Sequence, residues 1–343
     1  MGLIAHLAFL SVLLPFVKDS TNATTPYIVK EYEQMPLMIE RGQYSGISWI
    51  AADKYSDSNL YVAVDDKLNG GGIVFFNIPI DRKTGEVGNI SITVAEGTLN
   101  SEVKAKDNEG VAYFPSTETI FVSAEGDQTI AEYYMNGSPT GVTLYVPEDL
   151  KQDKLRFKNG GFESLTYNHK TGLFWTTPER HLLKDSLNTS ARHLQSFSDI
   201  TFFPVERFMY HMDEPSIEIP DSGKYAFGIS DLCALDDGKI IVMEREVYAP
   251  KVKGNEGVFK LFEIASKTFC KVKLYVVDPV KEKEEVLTKR LLLEIETSGI
   301  FIANYEGITL GPQLADGSRV LLLIADSQAN SLTTEWLKVL IIK

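Results

Sequence analysis

The stretch Asn304–Ser327 reads NYEGITLGPQLADGSRVLLLIADS and contains the pattern that decides the fold. An acid, Glu306, stands at the entry of a short apolar run, and a turn rich in Asp, Gly and Ser follows. A second apolar run then ends in Asp326. Apolar runs separated by such turn residues predict two antiparallel strands joined by a tight connection.

The same pattern occurs four more times along the chain. Each copy opens with an acidic or hydroxyl residue and a small residue, continues with alternating apolar residues, and is answered by an apolar run that carries an acid near its end. The copies are Gln43–Trp49 with Leu60–Asp66, Asp107–Phe114 with Ile120–Asp127, Gly161–Tyr167 with Leu173–Arg180, and Gly228–Leu235 with Ile240–Glu246. Repetition at this scale indicates a repeat architecture.

Further β-like runs between the copies bring each repeat to about four strands. Those after the fourth copy are Gly257–Ile264, Cys270–Asp278 and Arg290–Glu296. A repeat of four antiparallel strands is one propeller blade, so the sequence predicts an all-β, five-bladed β-propeller. A sixth blade stays possible, because the interval from Asp231 to Glu306 holds one strand more than it needs. We expect Pro26–Glu33 and Trp336–Lys343 to share a blade and close the ring.

Equivalent positions of all blades lie around the central channel of a propeller. The motif-opening residues are therefore expected to converge there, and they are Ser45, Glu109, Glu163, Asp231 and Glu306. Packed carboxylates repel one another and need a cation, a basic partner or a raised pKa. Because the cluster is rich in oxygen and lacks cysteine, Ca²⁺ is the expected ion. Its predicted ligands are Glu109, Glu163, Asp231 and Glu306.

A second set of acids near the ends of the following strands is expected at one mouth of the channel. It comprises Asp65 or Asp66, Glu125, Glu179, Glu244 and Asp326. Arg180 and Arg245 stand beside two of these acids, where they would pair with them or hold an anionic ligand. The predicted catalytic residues are Glu125, Glu179, Arg180 and Arg245. The alternative is that the acids of both sets only cap strands and turns.

Composition narrows the function classes. The 343 residues contain 34 Lys and Arg against 47 Asp and Glu, a formal charge of −13. This balance argues against nucleic-acid binding, which needs a cationic surplus. The two cysteines, Cys233 and Cys270, do not form a disulfide framework, although a single bridge between them stays open.

The N-terminus carries an apolar run, Leu3–Val17, that is shorter than the ~20 residues needed to span a bilayer. A polar segment follows, so residues 1–23 are predicted to be a signal peptide and residues 24–343 a single propeller domain. The expected location is outside the cytoplasm: periplasmic, in the cell envelope, or secreted. No later segment is apolar enough to cross a membrane.

Several enzyme motifs are absent from the sequence: G-x-S-x-G, H-E-x-x-H and the phosphate-binding P-loop. Taken in order, however, DNEGVAYF, GFESLTY, GISDLCAL with IIVMERE, and NYEGITLG with LLLIADS resemble the phytase-like family described as having esterase-like activity of phytase. The resemblance extends from about Gln43 to Asn330. It implies an exported bacterial propeller that hydrolyses esters. Ser164, where the family usually has Gly, and Ser45, in place of an acid, depart from the pattern.

These observations lead to an expected function. The chain would be an exported monomer that hydrolyses small anionic phosphate esters with the help of Ca²⁺ at an acidic channel. Two alternatives stay open, a non-catalytic propeller that binds a ligand at the channel mouth and a carboxylic-ester hydrolase that uses the same pocket.

Overall fold

Five antiparallel sheets arranged around a central axis make up the protein. The structure is a computed structural model, and it describes residues 26–37, 43–52, 55–65, 72–94, 107–151, 160–251, 258–282, 285–326 and 335–343. The predicted signal peptide, residues 1–23, lies outside these ranges. Within them, no helix combines the length and apolar character needed to cross a membrane.

The chain starts with two short strands and then forms blades 1 and 2. The first two strands are β1 (Ile28–Glu31) and β2 (Met35–Pro36). Blade 1 is formed by β3 (Tyr44–Ala52), β4 (Asn59–Asp65), β5 (Gly72–Asn77) and β6 (Ser91–Val94). Blade 2 is formed by β7 (Asn108–Phe114), β8 (Thr119–Ala124), β9 (Thr129–Tyr134) and β10 (Pro139–Thr143), and is followed by the short helix α1 (Glu148–Lys151).

The other blades follow the same plan. Blade 3 is formed by β11 (Thr166–Asn168), β12 (Leu173–Thr176), β13 (Ala191–Ser198) and β14 (Pro204–His211). Blade 4 is formed by β15 (Lys224–Ala234), β16 (Ile240–Ala249), β17 (Phe269–Val277) and β18 (Arg290–Ser298), with helix α2 (Val258–Lys267) between β16 and β17. Blade 5 contains β19 (Asn304–Gln313), β20 (Arg319–Asp326) and β21 (Trp336–Ile342).

The two ends of the described chain meet in blade 5. β21 pairs with β20 on one side and with β1 and β2 on the other. The first strands of the chain therefore complete the last blade, and the ring closes without an open edge between the first and last repeats. This confirms the predicted five-bladed propeller and its closure by N- and C-terminal strands.

Apolar side chains fill the space between neighbouring blades. Between blades 4 and 5, Met243 and Val272 pack in one buried cluster with Leu321 and Leu323. The innermost strands β3, β7, β11, β15 and β19 contact one another in sequence around the axis. These contacts bring the first residues of the five repeats to the centre of the molecule.

One expectation about an individual strand is wrong. The run from Gly257 to Ile264 is not a strand, because residues Val258–Lys267 form helix α2. Its apolar residues at 258, 261, 262 and 265 follow helical spacing, which fits an amphipathic helix better than a strand. The apparent extra strand that left room for a sixth blade is therefore this helix.

Sequence reasoning also missed β13. Its sequence, ARHLQSFS, is rich in polar residues, yet seven of its eight residues are buried. The polar side chains find partners inside the protein. Arg192, for example, donates hydrogen bonds to the carbonyl oxygens of Glu179, Thr189 and Ala191 at 2.6–2.9 Å. A strand that buries polar groups in this way shows no apolar alternation to recognise.

The cysteines do not form a bridge. Both thiols are free and buried, Cys233 on β15 and Cys270 on β17. Cys233 lies opposite Ile241 of β16 and Cys270 lies opposite Val247, on the other side of the same strand. Six residues of strand separate these two positions, or about 20 Å, whereas a disulfide needs Cα atoms within about 7 Å.

Candidate functional site

A β-bulge at the start of the innermost strands creates the site. The pairing shifts by one residue at Ser45 in β3, at Ser230 in β15 and at Glu306 in β19. A similar shift occurs in β7 between Asn108 and Val111, where Glu109 lies. A bulge leaves one residue out of the ladder and re-aims its side chain. Here the extra residue belongs to the strand nearest the channel.

Blade 3 has the same irregularity. Phe162 pairs with Pro178, and Thr166 pairs with Trp175, so three residues on the inner segment lie opposite two on β12 and its extension. Glu163 is the first of these three. The five bulge positions together form what we call the channel ring, and its members in blade order are Ser45, Glu109, Glu163, Ser230 and Glu306.

Asp231 is not a member of the ring, although the sequence placed it there. It follows the bulge and is equivalent to Gly46 and Gly307, while Ser230 occupies the ring position. All five repeats share three consecutive residues at this place: an acid or serine, then a small or polar residue, then a branched apolar residue. Aligning the repeats on these three residues would have placed Ser230 at the ring position. The prediction erred because it matched one carboxylate to the others.

The Asp231 carboxylate connects blades. Its two oxygens accept hydrogen bonds from the backbone N–H groups of Leu232 and Ile308, each at 2.8 Å. The backbone N–H of Leu165 in blade 3 also contributes. Burial raises the pKa of Asp231, and these three donors oppose the increase. A metal-ligand role for Asp231 stays a prediction, but the carboxylate already joins blade 4 to blades 3 and 5.

Close approach of the inner strands explains the small residue after the ring position. A Cβ atom added at Gly46 would lie 2.5 Å from the carbonyl oxygen of Glu109 in the next blade. No real Cβ tolerates that distance, so an L side chain at this position would push blades 1 and 2 apart. In blade 3 the small residue is Ser164, whose hydroxyl accepts a hydrogen bond from the Thr177 N–H at 3.1 Å.

The second set of predicted acids needs a correction of one residue in blade 4. Each member lies opposite the residue two places before the ring position: Glu125 opposite Asp107, Glu179 opposite Gly161, Arg245 opposite Gly228 and Asp326 opposite Asn304. Arg245, and not Glu244, therefore occupies this place in blade 4. Glu244 instead accepts hydrogen bonds from the Tyr210 hydroxyl at 2.6 Å and Lys289 Nζ at 2.7 Å.

Arg245 neutralises part of the channel. Its guanidinium donates to Glu306 Oε1, to Glu179 Oε1 at 3.1 Å and to Asn304 Oδ1 at 3.3 Å. Asn304 Nδ2 in turn donates to Glu306 Oε1 at 2.7 Å. The arginine side chain is only 5% exposed. Although burial lowers the pKa of Arg245, the carboxylates of Glu306, Glu179 and Glu163 raise it more, so the group stays charged.

Burial and neighbouring acids dominate the surroundings of Glu109 and Glu163. Burial is the main reason that the pKa of each is raised well above its ordinary value. Negative charge on Glu306 and Asp107 adds to the effect at Glu109, and Glu109 and Glu179 add to it at Glu163. Among the described residues no basic side chain forms an ion pair with either carboxylate, although the charge of Arg245 opposes the increase at Glu163. A hydrogen bond from Ser45 lowers the pKa of Glu109 only in part.

Three carboxylates in blade 2 lie close enough to hold one ion. Oxygens of Asp107, Glu109 and Glu125 all lie within 4.8 Å of one another. Sequence reasoning selected Glu109 and Glu125 but missed Asp107, which lies two residues before the ring position in DNEGVAYF. An oxygen-only donor set of this kind suits a hard cation such as Ca²⁺. The structure thus groups Glu109 with Asp107 and Glu125, whereas Glu306 is paired with Arg245.

Glu125 is held by a glycine turn. Its Oε1 accepts hydrogen bonds from the N–H groups of Gly160 and Gly161, the latter at 2.9 Å. Burial raises the pKa of Glu125 against these donors. Gly160 has φ = 142°, and a Cβ there would lie 2.5 Å from Arg180 Cδ. The half-buried Arg180 side chain therefore packs on the turn that orients Glu125, which brings these two predicted catalytic residues together.

The sequence matches the phytase-like family, described as having esterase-like activity of phytase, over residues 42–328. The chain belongs to this family. The match covers most of the chain and includes every residue of the channel ring. The family membership implied by the sequence motifs is therefore confirmed.

Solved structures show a broader likeness to this member of the phytase-like family. The catalytic domain of an α-L-arabinofuranosidase from Coprinopsis cinerea is 11% identical, with a TM-score of 0.45 over 89% of this chain and 92% of the other. An endo-arabinase from Bacteroides thetaiotaomicron is 12% identical, with a TM-score of 0.45 over 90% and 96% of the two chains. A gluconolactonase from Xanthomonas campestris is 10% identical, with a TM-score of 0.37 over 93% and 96%.

Because the sequence identities and TM-scores are this low, the activities of these proteins are not assigned to this chain. No curated protein sequence matches the chain.

Proposed function

We propose that the protein is an exported hydrolase of phosphate esters that acts with a bound Ca²⁺ ion at the acidic channel. The observation that carries the proposal is the group formed by Asp107, Glu109 and Glu125, whose oxygens lie within 4.8 Å of one another. The phytase-like family match supports a hydrolase, and phytase in the family description favours a phosphate ester.

Asp107 and Glu109 would hold the ion beside Glu125, and Glu163 is the neighbour of Glu109 on the channel ring. These groups offer only oxygen donors, and the pKa values of Glu109 and Glu163 are raised mainly by burial. Neighbouring acids add to both increases, so a cation would relieve an existing repulsion. When bound, Ca²⁺ would polarise a phosphoryl oxygen and help a bound water to lose a proton.

Glu125 is suited to act as the general base. A base works best when its pKa lies near the working pH, and burial raises the pKa of Glu125 in that direction. The N–H groups of Gly160 and Gly161 fix its orientation by binding Oε1. Glu179, the other predicted base, is engaged with Arg245 and would help to position that side chain.

Arg180 would bind the negative charge of the substrate. It lies on the Gly160 turn beside Glu125, and a guanidinium can hold a phosphoryl group through two parallel hydrogen bonds. Arg245 was also predicted to bind the anion. We assign the substrate-binding role to Arg180 because it packs on the turn that orients the proposed base, Glu125.

The test is hydrolysis of p-nitrophenyl phosphate and of phytate by the purified protein, with Ca²⁺ and after treatment with EDTA. We expect turnover that requires Ca²⁺ and falls at least about 100-fold in Glu125→Gln, the range lost with a general base. Glu118→Gln, on an exposed turn of the same blade, is the matched control and should keep full activity. Equal activity in Glu125→Gln and the control would contradict the proposed base.

A carboxylic-ester substrate is a second candidate, favoured by the words esterase-like in the family description. Hydrolysis of p-nitrophenyl acetate, but not of the phosphate esters, by the same variants would select it. Absence of turnover of any ester, with a ligand still bound at the channel, would instead select a binding module.

Export is proposed from the apolar run at Leu3–Val17. Expression of the chain with residues 1–23 included should yield mature protein outside the cytoplasm, cleaved near Asn22 or Ala23. Uncleaved protein retained in the cytoplasm would contradict export.

A further inference from the structure

We propose that Gln128 is a positioning residue that holds the Glu125 carboxylate in its working orientation by joining the backbone of Glu125 to the Gly160–Gly161 turn. This role rests on the proposed function, in which Glu125 is the general base, and it adds a residue to which the sequence motif did not point. Gln128 lies in the turn between β8 and β9, three residues after Glu125.

The backbone of Glu125 is held on both sides. Its N–H donates a hydrogen bond to the carbonyl oxygen of Asp107 at 2.7 Å. Its carbonyl oxygen accepts a hydrogen bond from the side-chain Nε2 of Gln128 at 2.5 Å. The Gln128 amide therefore supplies one of the two bonds that fix the start of the Glu125 side chain.

The same amide lies against the glycine turn. A Cβ atom added at Gly161 would lie 1.9 Å from Gln128 Nε2 and 2.9 Å from Gln128 Oε1, so the amide occupies the space that a side chain at position 161 would need. The N–H of Gly161 donates to Glu125 Oε1 at 2.9 Å, and the N–H of Gly160 donates to the same oxygen. Gln128 thus contacts both the backbone of Glu125 and the turn that binds its carboxylate.

Gln128 makes these contacts in an unfavourable conformation. Its φ of 55° lies in the left-handed region, which side chains other than glycine rarely adopt. The side chain is fully buried, and Oε1 has no hydrogen-bond partner among the described residues. Backbone strain and unpaired buried polar atoms are both typical of functional sites. Packing alone does not account for a glutamine here, because an apolar side chain of the same size would fill the space without an unpaired oxygen.

Orientation matters because a general base must lie within hydrogen-bond reach of the proton that it takes. The bonds from the glycine turn use Oε1 of Glu125, which leaves Oε2 to take the proton. The same bonds oppose the rise in the pKa of Glu125 that burial causes. Loss of the Gln128 amide would loosen the turn, so the carboxylate would lose both its direction and part of the stabilisation of its charge.

The test replaces Gln128 with methionine, which has a similar size but no N–H donor. In Gln128→Met, kcat for p-nitrophenyl phosphate should fall about 10- to 100-fold while KM stays within about threefold, because a misplaced reacting group costs this much. Thr129→Ala is the matched control, since it removes a hydroxyl that binds Asp127 in the same turn and leaves the bonds to Glu125 in place. An equal loss of kcat in Thr129→Ala would overturn the proposal, because general damage to the turn would explain both.

A second readout does not depend on turnover. NMR titration of the full chain with ¹³C-labelled glutamate carboxyl groups follows the pKa of Glu125, and Glu125→Gln assigns its signal. This pKa should be higher in Gln128→Met than in the wild type, because the N–H groups that lower it are held less firmly. Thr129→Ala should leave it unchanged. An unchanged pKa of Glu125 in Gln128→Met would overturn the proposal.

Gly161→Ala disturbs the same contact from the other side while keeping the glutamine. Its Cβ would push the Gln128 amide away, so kcat should fall and the pKa of Glu125 should rise as in Gln128→Met. The double variant should add little to either change, because both substitutions act on one contact. Additive effects would overturn the link between Gln128 and the turn. Thermal unfolding identifies any variant that is not folded, and each single variant gives its own answer.

The two proposals can fail separately. A wild type that hydrolyses no ester, together with a raised pKa of Glu125 in Gln128→Met, rejects the proposed enzyme and keeps Gln128 as the residue that orients Glu125. An active wild type whose kcat and Glu125 pKa are both unchanged in Gln128→Met keeps the enzyme and rejects the positioning role.

Discussion

Glu109 and Glu306 occupy the same position in blades 2 and 5 but have different surroundings. Both follow the same motif, and both lie at the bulge of an innermost strand. Glu306 is bonded to Arg245 and Asn304, whereas burial and neighbouring acids raise the pKa of Glu109 well above its ordinary value. Arg245 and Asn304 beside Glu306 produce this difference. A repeated fold can therefore place equivalent residues together while substitutions around them assign them different roles.

The largest expected effect comes from removing the arginine. Arg245→Leu leaves Glu179 and Glu306 buried without their cation, and breaking a buried ion pair in this way costs about 3–5 kcal/mol. The electrostatic difference between Glu109 and Glu306 would then disappear, because neither carboxylate would have a basic partner. Urea unfolding at neutral pH in EDTA measures the loss. Adding Glu306→Gln to the variant should recover part of it, and a loss below about 1 kcal/mol would show that the pair contributes little.

A medium effect is expected at Asp231, where backbone N–H groups take the place of a cation. Asp231→Asn keeps one acceptor oxygen but turns an NH₂ group toward N–H donors, so about 2 kcal/mol of stability should be lost. Ca²⁺ affinity should stay unchanged, because the carboxylate joins blades and does not belong to the ring. Urea unfolding and calorimetry on the same variant test both statements. A large loss of Ca²⁺ affinity without loss of stability would restore Asp231 as a metal ligand.

Much of this arrangement could be predicted from the sequence. The five repeated motifs indicate five blades, and the β-like runs at both ends indicate the shared last blade. Helix α2 was mistaken for a strand because its short apolar run fits either period, and β13 was missed because its buried face is polar. In blade 4 the sequence motif placed two channel positions one residue away from where they lie. The bulge that places Ser230 on the ring, and Arg245 among the second set of acids, depends on strand register, which the sequence motif alone did not reveal.

The smallest expected effects are the stability changes of Glu109→Gln and Glu306→Gln. They test the comparison most sharply because they should have opposite signs. Without metal, Glu109→Gln should stabilise the protein by about 1 kcal/mol at a pH of about 7.5, because it removes a carboxylate that is desolvated and repelled by its neighbours. Glu306→Gln should destabilise it by a similar amount, because Arg245 loses one of its two charged partners. Urea unfolding in EDTA measures both, and the same sign for both variants would contradict this difference between the two carboxylates.

The pH dependence gives this prediction an internal control. The pKa of Glu109 is higher in the folded than in the unfolded state, so the folded protein binds the proton more tightly. The stability from this group is complete below the unfolded pKa of about 4.3 and is lost as the pH rises toward the folded value. The stability difference between Glu109→Gln and wild type should therefore increase with pH over this window. Saturating Ca²⁺ should reduce the difference or reverse its sign, since the ion stabilises the ionised carboxylate of the wild type alone.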